Sequence, residues 1–425
     1  MTVLVFTFAL LGTMALGLPV AFALLVSGIA LMVTQGQFDT TILSQKLIEG
    51  ADSFPLLAIP FFMLAGELMN SGGLSKRIVN FALAWVGHIR GGLGLVAIFA
   101  TVIMSAISGS AAADIAAVGT LLIPMMRKAG YNVARSSGLI AASGVLGPVI
   151  PPSIGMIVFA VMANVSIGKL LLAGVFPGLM LAVALVIAWM WVVRNDKIEG
   201  LPRQPMAQRM RAGIDGIWAL LMPLGIIGGL KFGIFTPTEA GVAACVYAFV
   251  IGVFVYRELA WRDLYRLFVQ AAKTTAVVVF MIAAALVSAF LITTSAVPQQ
   301  VADMLAPFIG QPILLMFVIM VLIVIIGTAL DFAPTLMILT PVLMPVIKQA
   351  GIDPIYFGVL FIINNSIGLI TPPVGIVLNV VCGISKISMS ELMKGLWPFL
   401  IAELIVLFLL VLFPSLVLVP LKWLM

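Results

Sequence analysis

Hydroxyls, carboxylates and helix-breaking residues gather in paired places along this chain, and their types suit a hard cation better than bond-breaking chemistry. Met104-Ser-Ala-Ile-Ser-Gly-Ser-Ala-Ala-Ala-Asp114 brings Ser108, Ser110 and Asp114 into a run of small residues inside an apolar block. Ser143-Gly-Val-Leu-Gly-Pro-Val-Ile-Pro-Pro-Ser153 interrupts the next apolar block. Two prolines in succession remove two backbone donors, so carbonyls of the preceding turn lose their helical partners. Hydroxyls and freed carbonyls together offer Na⁺ several oxygen ligands without a full compensating charge. The expected first sodium site is therefore Ser108 and Ser110 with the backbone of Gly147, Ile150 and Pro152.

The pattern recurs. Ile326-Gly-Thr-Ala-Leu-Asp-Phe-Ala-Pro-Thr335 and Asn364-Asn-Ser-Ile-Gly-Leu-Ile-Thr-Pro-Pro373 follow the first pair at a spacing of 221 residues, set by the matched Pro124 and Pro345. That spacing projects a second sodium site onto Ala329, Asp331, Gly368, Thr371 and Pro373. Asp331 falls in the place of Ser110, while Asp114 has no acidic counterpart. An ionisable residue inside an apolar span is costly and marks function, so Asp114 and Asp331 could hold a cation, relay a proton or orient a polar substrate. Asn365 and Ser153 join them as candidate substrate or coupling residues. Glu67, Glu239 and Glu403 suit a helix-end or pairing role as well as a transport role.

Nucleophilic and transition-metal chemistry have no footing. His88, alone of its kind, stands in a basic loop beside Arg90, and Cys245 and Cys382 lie in apolar runs without ligand or disulfide spacing. No enzyme activity, no cofactor and no metal other than coupling Na⁺ are expected.

The elements that position these residues follow from composition. With 63% hydrophobic and 9% charged residues and a mean hydropathy of +1.26, the chain suits lipid, since a soluble domain carries roughly 25% charge. The apolar runs have helix length, so the fold class is an all-α polytopic membrane protein. Leu121-Leu-Ile-Pro-Met-Met-Arg-Lys-Ala-Gly130 recurs as Val342-Leu-Met-Pro-Val-Ile-Lys-Gln-Ala-Gly351, which makes residues 1–195 and 215–425 two repeats, with 196–214 as a basic cytoplasmic linker.

Equivalent loops carry opposite cation bias: Lys76, Arg77, Arg90, Arg127, Lys128 and Arg135 in the first half have few counterparts in the second. Lys and Arg accumulate on the cytoplasmic side, so the repeats are inverted. The net charge of +6 reports topology and implies no nucleic-acid partner.

Inversion needs an odd number of crossings per repeat. Five fit the first half (2–17, 18–35, 54–70, 136–163, 171–193) and five the second (216–235, 238–256, 274–293, 357–382, 395–419). Residues 93–126 and 313–346 then form re-entrant hairpins, and 136–163 and 357–382 are broken helices. Stretches 43–52 and 261–270 have the spacing of interfacial amphipathic helices.

The motifs at 108–114, 147–153 and 368–375 strongly resemble those of the large membrane subunit of TRAP transporters, the tripartite ATP-independent periplasmic family, and the likeness covers the whole chain. The resemblance implies sodium-coupled uptake of a small organic acid, such as a dicarboxylate, keto acid or sialic acid, across the bacterial inner membrane. It also implies an elevator mechanism, a small membrane subunit of about four helices and a periplasmic substrate-binding protein as partners. The missing Walker-type phosphate loop agrees with ion-driven uptake. A standalone sodium- or proton-coupled organic-anion permease of the same superfamily, or a channel, are the competing readings.

Overall fold

The computed structural model describes residues 2–36, 38–196, 200–372 and 375–425, and every regular element among them is helical. α1 (Thr2–Ala15) and α2 (Val20–Thr34) part at Gly17, whose φ of 86° ends one helix, and at Pro19, which opens the next. α3 (Thr40–Ala51) starts where the Asp39 side chain accepts from Thr41 N at 2.7 Å. A 3-10 turn at Phe54–Leu57 leads into α4 (Ala58–Ser71), and α5 (Leu74–Val86) follows. α6 (Gly92–Ser108) and α7 (Ala111–Lys128) are joined by two residues. α8 (Val133–Ser143) runs through a 3-10 turn into an irregular stretch before α9 (Ile154–Ala163), and α10 (Ile167–Val192) ends this half.

The second half opens with α11 (Met206–Lys231) and α12 (Pro237–Val250), the latter started by a capping box between Thr236 and Glu239. α13 (Trp261–Thr294) and α14 (Val297–Ile309) precede α15 (Pro312–Ala329) and α16 (Phe332–Gln349), again joined by two residues. α17 (Pro354–Gly368), an irregular stretch and α18 (Ile376–Ser385) lead to α19 (Met389–Leu412) and α20 (Ser415–Leu424). α7 and α16, like α8 and α17, begin 221 residues apart.

Among the described residues, seven helical stretches are long and apolar enough to cross a membrane. The two expected broken helices are interrupted after Leu146 and after Gly368. Several expectations change. The interfacial stretch 261–270 is no separate helix: α13 runs unbroken through it into the following span, because no Gly or Pro lies between Trp261 and Thr294. In the first half Gly50 and Pro55 flank the gap that separates α3 from α4. The linker is shorter than 196–214, since α11 already begins at Met206. α5 and α14, both of mixed polarity, form helices where loops were expected.

Packing divides the helices into two sets. An outer set pairs α4 with α12, α2 and α3 with α13, and α11 with α5. The inner set obeys an exchange between halves: α7 packs on α18 as α16 packs on α9, and α8 on α19 as α17 on α10. Small residues permit the closest of these approaches. A Cβ on Gly395 of α19 would lie 2.1 Å from Ala134 O of α8, and one on Gly138 would lie 2.6 Å from Gly395 C. Nearby, Trp189 is buried with its Nε1 donating to Gly91 O at 2.8 Å and its ring stacked on Tyr131.

Gly395→Val should therefore overpack the α8–α19 contact by on the order of 1–3 kcal/mol and lower the melting temperature of the purified protein by several degrees. Gly228→Ala, at a position with nothing within 4 Å, should not lower it. Equal melting of both variants would count against a backbone-to-backbone contact here.

Candidate functional site

Both two-residue tips, α6–α7 and α15–α16, line one cavity of about 260 Å³. Its wall takes Gly109 and Ser110 from the first tip, Asp331 and Phe332 from the second, and Pro148 and Leu369 from the two breaks. Met63 of α4 and Val278 of α13 close it from the outer set. Ser110 and Asp331 supply the only polar side chains in the described wall. The opening residues of four helices, Ala111 of α7, Ile154 of α9, Phe332 of α16 and Ile376 of α18, also lie in it. A helix N-terminus presents unpaired N–H groups and roughly half a positive charge, so four of them favour an anion.

The first tip is held by a buried network. Gly109 takes a φ of 60°, and a Cβ there would lie 2.7 Å from Pro152 O, so the turn and the break both require glycine. Asp114, fully buried in the first turn of α7, accepts from Ser108 Oγ at 2.5 Å and from Ser105 Oγ at 3.1 Å. Ser108 Oγ in turn accepts from Ser110 N at 3.1 Å. Thus Ser108 and Asp114 are engaged with each other across the tip. Ser110 stands at the N-cap of α7, yet its hydroxyl makes no capping hydrogen bond and lies in the cavity wall.

The first break adjoins this tip: a Cβ on Gly147 would lie 2.8 Å from Ala111 N. The carbonyls of Gly147, Ile150 and Pro152 accept no backbone hydrogen bond among the described residues. A free hydroxyl beside unpaired carbonyls is a donor set that suits Na⁺. Ser153 is differently employed. It is buried, donates to Pro148 O at 2.5 Å and accepts from Met156 N at 3.2 Å, which makes it the N-cap of α9 rather than part of the wall.

The second tip departs from the first. Leu330 and Asp331 are both extended, with no left-handed residue, and Asp331 caps α16 by accepting from Phe332 N at 2.8 Å. Ala329 is the last residue of α15. Gly368 meets the chain before the turn instead of after it, since a Cβ there would lie 3.0 Å from Gly327 O. The Thr371 hydroxyl is committed to Ile367 O at 2.7 Å, and Pro373 lies outside the described residues. Asn365 Nδ2 donates to Phe332 O at 2.6 Å and ties the tip to α17.

Sequence reasoning missed two buried polar residues, Ser105 and Asn364. Ser105, one turn before Ser108 on α6, shares the carboxylate of Asp114. Asn364 donates to Met320 O at 2.7 Å, and its Oδ1, like that of Asn365, is buried without a hydrogen bond among the described residues. Both oxygens of the buried Glu403 are likewise unpaired. An Asn-Asn doublet within an apolar helix was the available signal. Glu239, by contrast, has the helix-end role, accepting from Thr236 N at 2.8 Å. No group of three His, Cys, Asp or Glu residues that could hold a metal ion exists among the described residues.

Residues 7–416 match the family model for the DctM component of the tripartite ATP-independent periplasmic transporter. The chain is 51% identical over 423 residues, a coverage that rounds to 100% of each chain, to the 2,3-diketo-L-gulonate TRAP transporter large permease protein YiaN of Escherichia coli. It is 38% identical to the sialic acid large permease SiaM of Vibrio cholerae, across 96% of each chain, and 36% identical to the C4-dicarboxylate large permease DctM of Pseudomonas aeruginosa, across 90% of each. Among solved structures, the YdaH transporter of Alcanivorax borkumensis superposes with a TM-score of 0.66 at 15% identity, covering 87% of this chain and 86% of that one, and so shares the fold. The chain therefore belongs to the DctM component family of TRAP transporters, as a large permease subunit and not an enzyme.

Proposed function

We propose that this permease takes up a small organic acid with Na⁺, that the anion sits between the two tips, and that the inner helices carry it as an elevator against the outer set. The single observation behind this reading is the convergence of four helix N-termini on one cavity that also holds Ser110 and Asp331. Fixed partial positive charge in an apolar wall suits a carboxylate, and the unpaired carbonyls beside Ser110 suit its coupling cation. The identity to a 2,3-diketo-L-gulonate permease favours a keto sugar acid as the cargo. A small membrane subunit of about four helices and a periplasmic binding protein would complete the transporter in the bacterial inner membrane.

On this reading 1–195 and 215–425 are inverted repeats, and the helix pairs at the tips are re-entrant. The exchange of helix contacts between halves supports it. Orientation is testable with Lys128→Cys and Gln349→Cys, exposed equivalents 221 residues apart. An impermeant thiol reagent should label the first from the cytoplasm and the second from the periplasm. Labelling of both from one side would exclude inversion.

For transport, the chain reconstituted with its small subunit should accumulate the acid only with a sodium gradient and the loaded binding protein. Uptake without the binding protein would indicate a standalone carrier, and currents at single-channel rates a channel.

Ser110→Ala should raise the sodium concentration needed for half-maximal uptake, and Ser108→Ala should do so through loss of its bond to Asp114. Asp114→Ala and Asp331→Ala should each cut uptake by roughly tenfold or more at unchanged expression, the size of losing a hydrogen bond to a charged group. Unchanged sodium dependence and uptake in all four variants would overturn the site assignment.

A further inference from the structure

Two further cavities lie on the outer set, away from the tips. α11 rests on α5 and α12 on α4, and a groove is left between α11 and α12. In its apolar part a cavity of about 240 Å³ is lined by Leu221, Met222 and Ile226 of α11 and by Ala240, Ala244 and Tyr247 of α12. One helical turn before Leu221, Trp218 borders a larger cavity of about 640 Å³ whose wall holds Lys76, Arg77 and Arg211. Two tyrosines span the groove, Tyr247 donating to Trp218 O and Tyr256 to Asp215 O, each at 2.7 Å.

The charges in the polar part are not all spent. Arg77 is paired with Glu258 at 2.8 Å and lies 3.7 Å over the Tyr256 ring. Lys76 and Arg211 have no ion pair among the described residues, which leaves two cations facing the single carboxylate of Asp215. Ile214 and Leu224 expose about two-thirds of their surface on the same helix, and a Trp beside cations at the end of an apolar span belongs to the headgroup level. From Arg211 to Ile226 the helix climbs roughly 22 Å, about the depth of one leaflet with its headgroups.

We infer that this groove binds an anionic phospholipid, its phosphate held by Lys76 and Arg211 and one acyl chain lying between α11 and α12. Basic residues in the larger cavity complement the phosphate, and the smaller cavity of about 240 Å³ is walled by apolar side chains together with Tyr247, which suits an acyl chain. There the lipid fastens α5, which leads into the first tip, to the outer α11. The inference is independent of the transported substrate and of sodium coupling.

Native mass spectrometry of the full chain, released from nanodiscs of equal phosphatidylglycerol and phosphatidylcholine, reads the outcome directly. Phosphatidylglycerol should be retained over phosphatidylcholine by roughly tenfold or more, the size expected for two interfacial cations. Lys76→Gln with Arg211→Gln should abolish that preference, and Ala244→Phe should reduce retention of both lipids. Arg211→Gln alone, with melting temperature recorded, separates lost binding from lost folding. Equal retention by the wild type, an unchanged preference in the double variant, or displacement by inorganic phosphate alone would overturn the proposal. So would a co-expressed small membrane subunit occupying the groove in place of lipid.

Discussion

A peptide group without a hydrogen-bond partner in hydrocarbon costs several kcal/mol, and the architecture of this protein follows from where such groups are tolerated. The chain leaves its helical path twice within apolar surroundings, at 147–153 and at 369–372, and turns sharply twice, at Gly109 and at Leu330. Each break is covered by protein: Gly147 against Ala111 and Gly368 against Gly327. The close fit demands small residues on both sides. It also places the start of α9 and α18 beside the start of α7 and α16, so one packing solution gathers four helix N-termini. The outer helices then close the remaining side with Met63 and Val278.

The two tips solve the same geometric problem with different chemistry. The first uses a left-handed glycine and fastens the two arms through Asp114, which is shared by Ser105 and Ser108. The second has no such internal clasp among the described residues. Asp331 caps its own helix, and the tip is tied outward to α17 through Asn365. A tip braced within itself keeps its shape whatever it touches, whereas a tip braced to a neighbour depends on that neighbour's position.

Much of this was legible in the residues. Double prolines behind small-residue runs located both breaks and both tips, because a missing N–H and a missing side chain act locally and leave their mark in the chain itself. The spacing of 221 residues carried over to helix starts for the same reason. What escaped was decided by tertiary context. That Ser108 serves Asp114 rather than standing free, and that Ser153 caps α9, depends on which rotamer the packed neighbours leave open. The straight passage of α13 through 261–273 did have a signal in the chain, the lack of any Gly or Pro between Trp261 and Thr294, which lets an amphipathic run and an apolar run join as one helix. The residue type alone, however, does not say that the Thr371 hydroxyl turns back to Ile367 O, a bond that leaves the projected backbone role of this position untouched.

The charge balance of the cavity bears on coupling. Four helix N-termini contribute roughly two positive charges in partial form, and Asp331, if ionised, subtracts one. A monocarboxylate then meets near-neutrality unaided, whereas a dianion leaves about one uncompensated negative charge in a wall that is otherwise apolar. A sodium ion among the Ser110 hydroxyl and the carbonyls of 147–152 would supply the missing charge at close range, in surroundings where screening by water is weak. On the proposed reading, the anion and the cation thus lower each other's cost of entry. On that reading the asymmetry between Ser110 and Asp331 would set how much cation the site requires: the hydroxyl offers a ligand without charge, while an ionised carboxylate would attract the cation and repel the cargo.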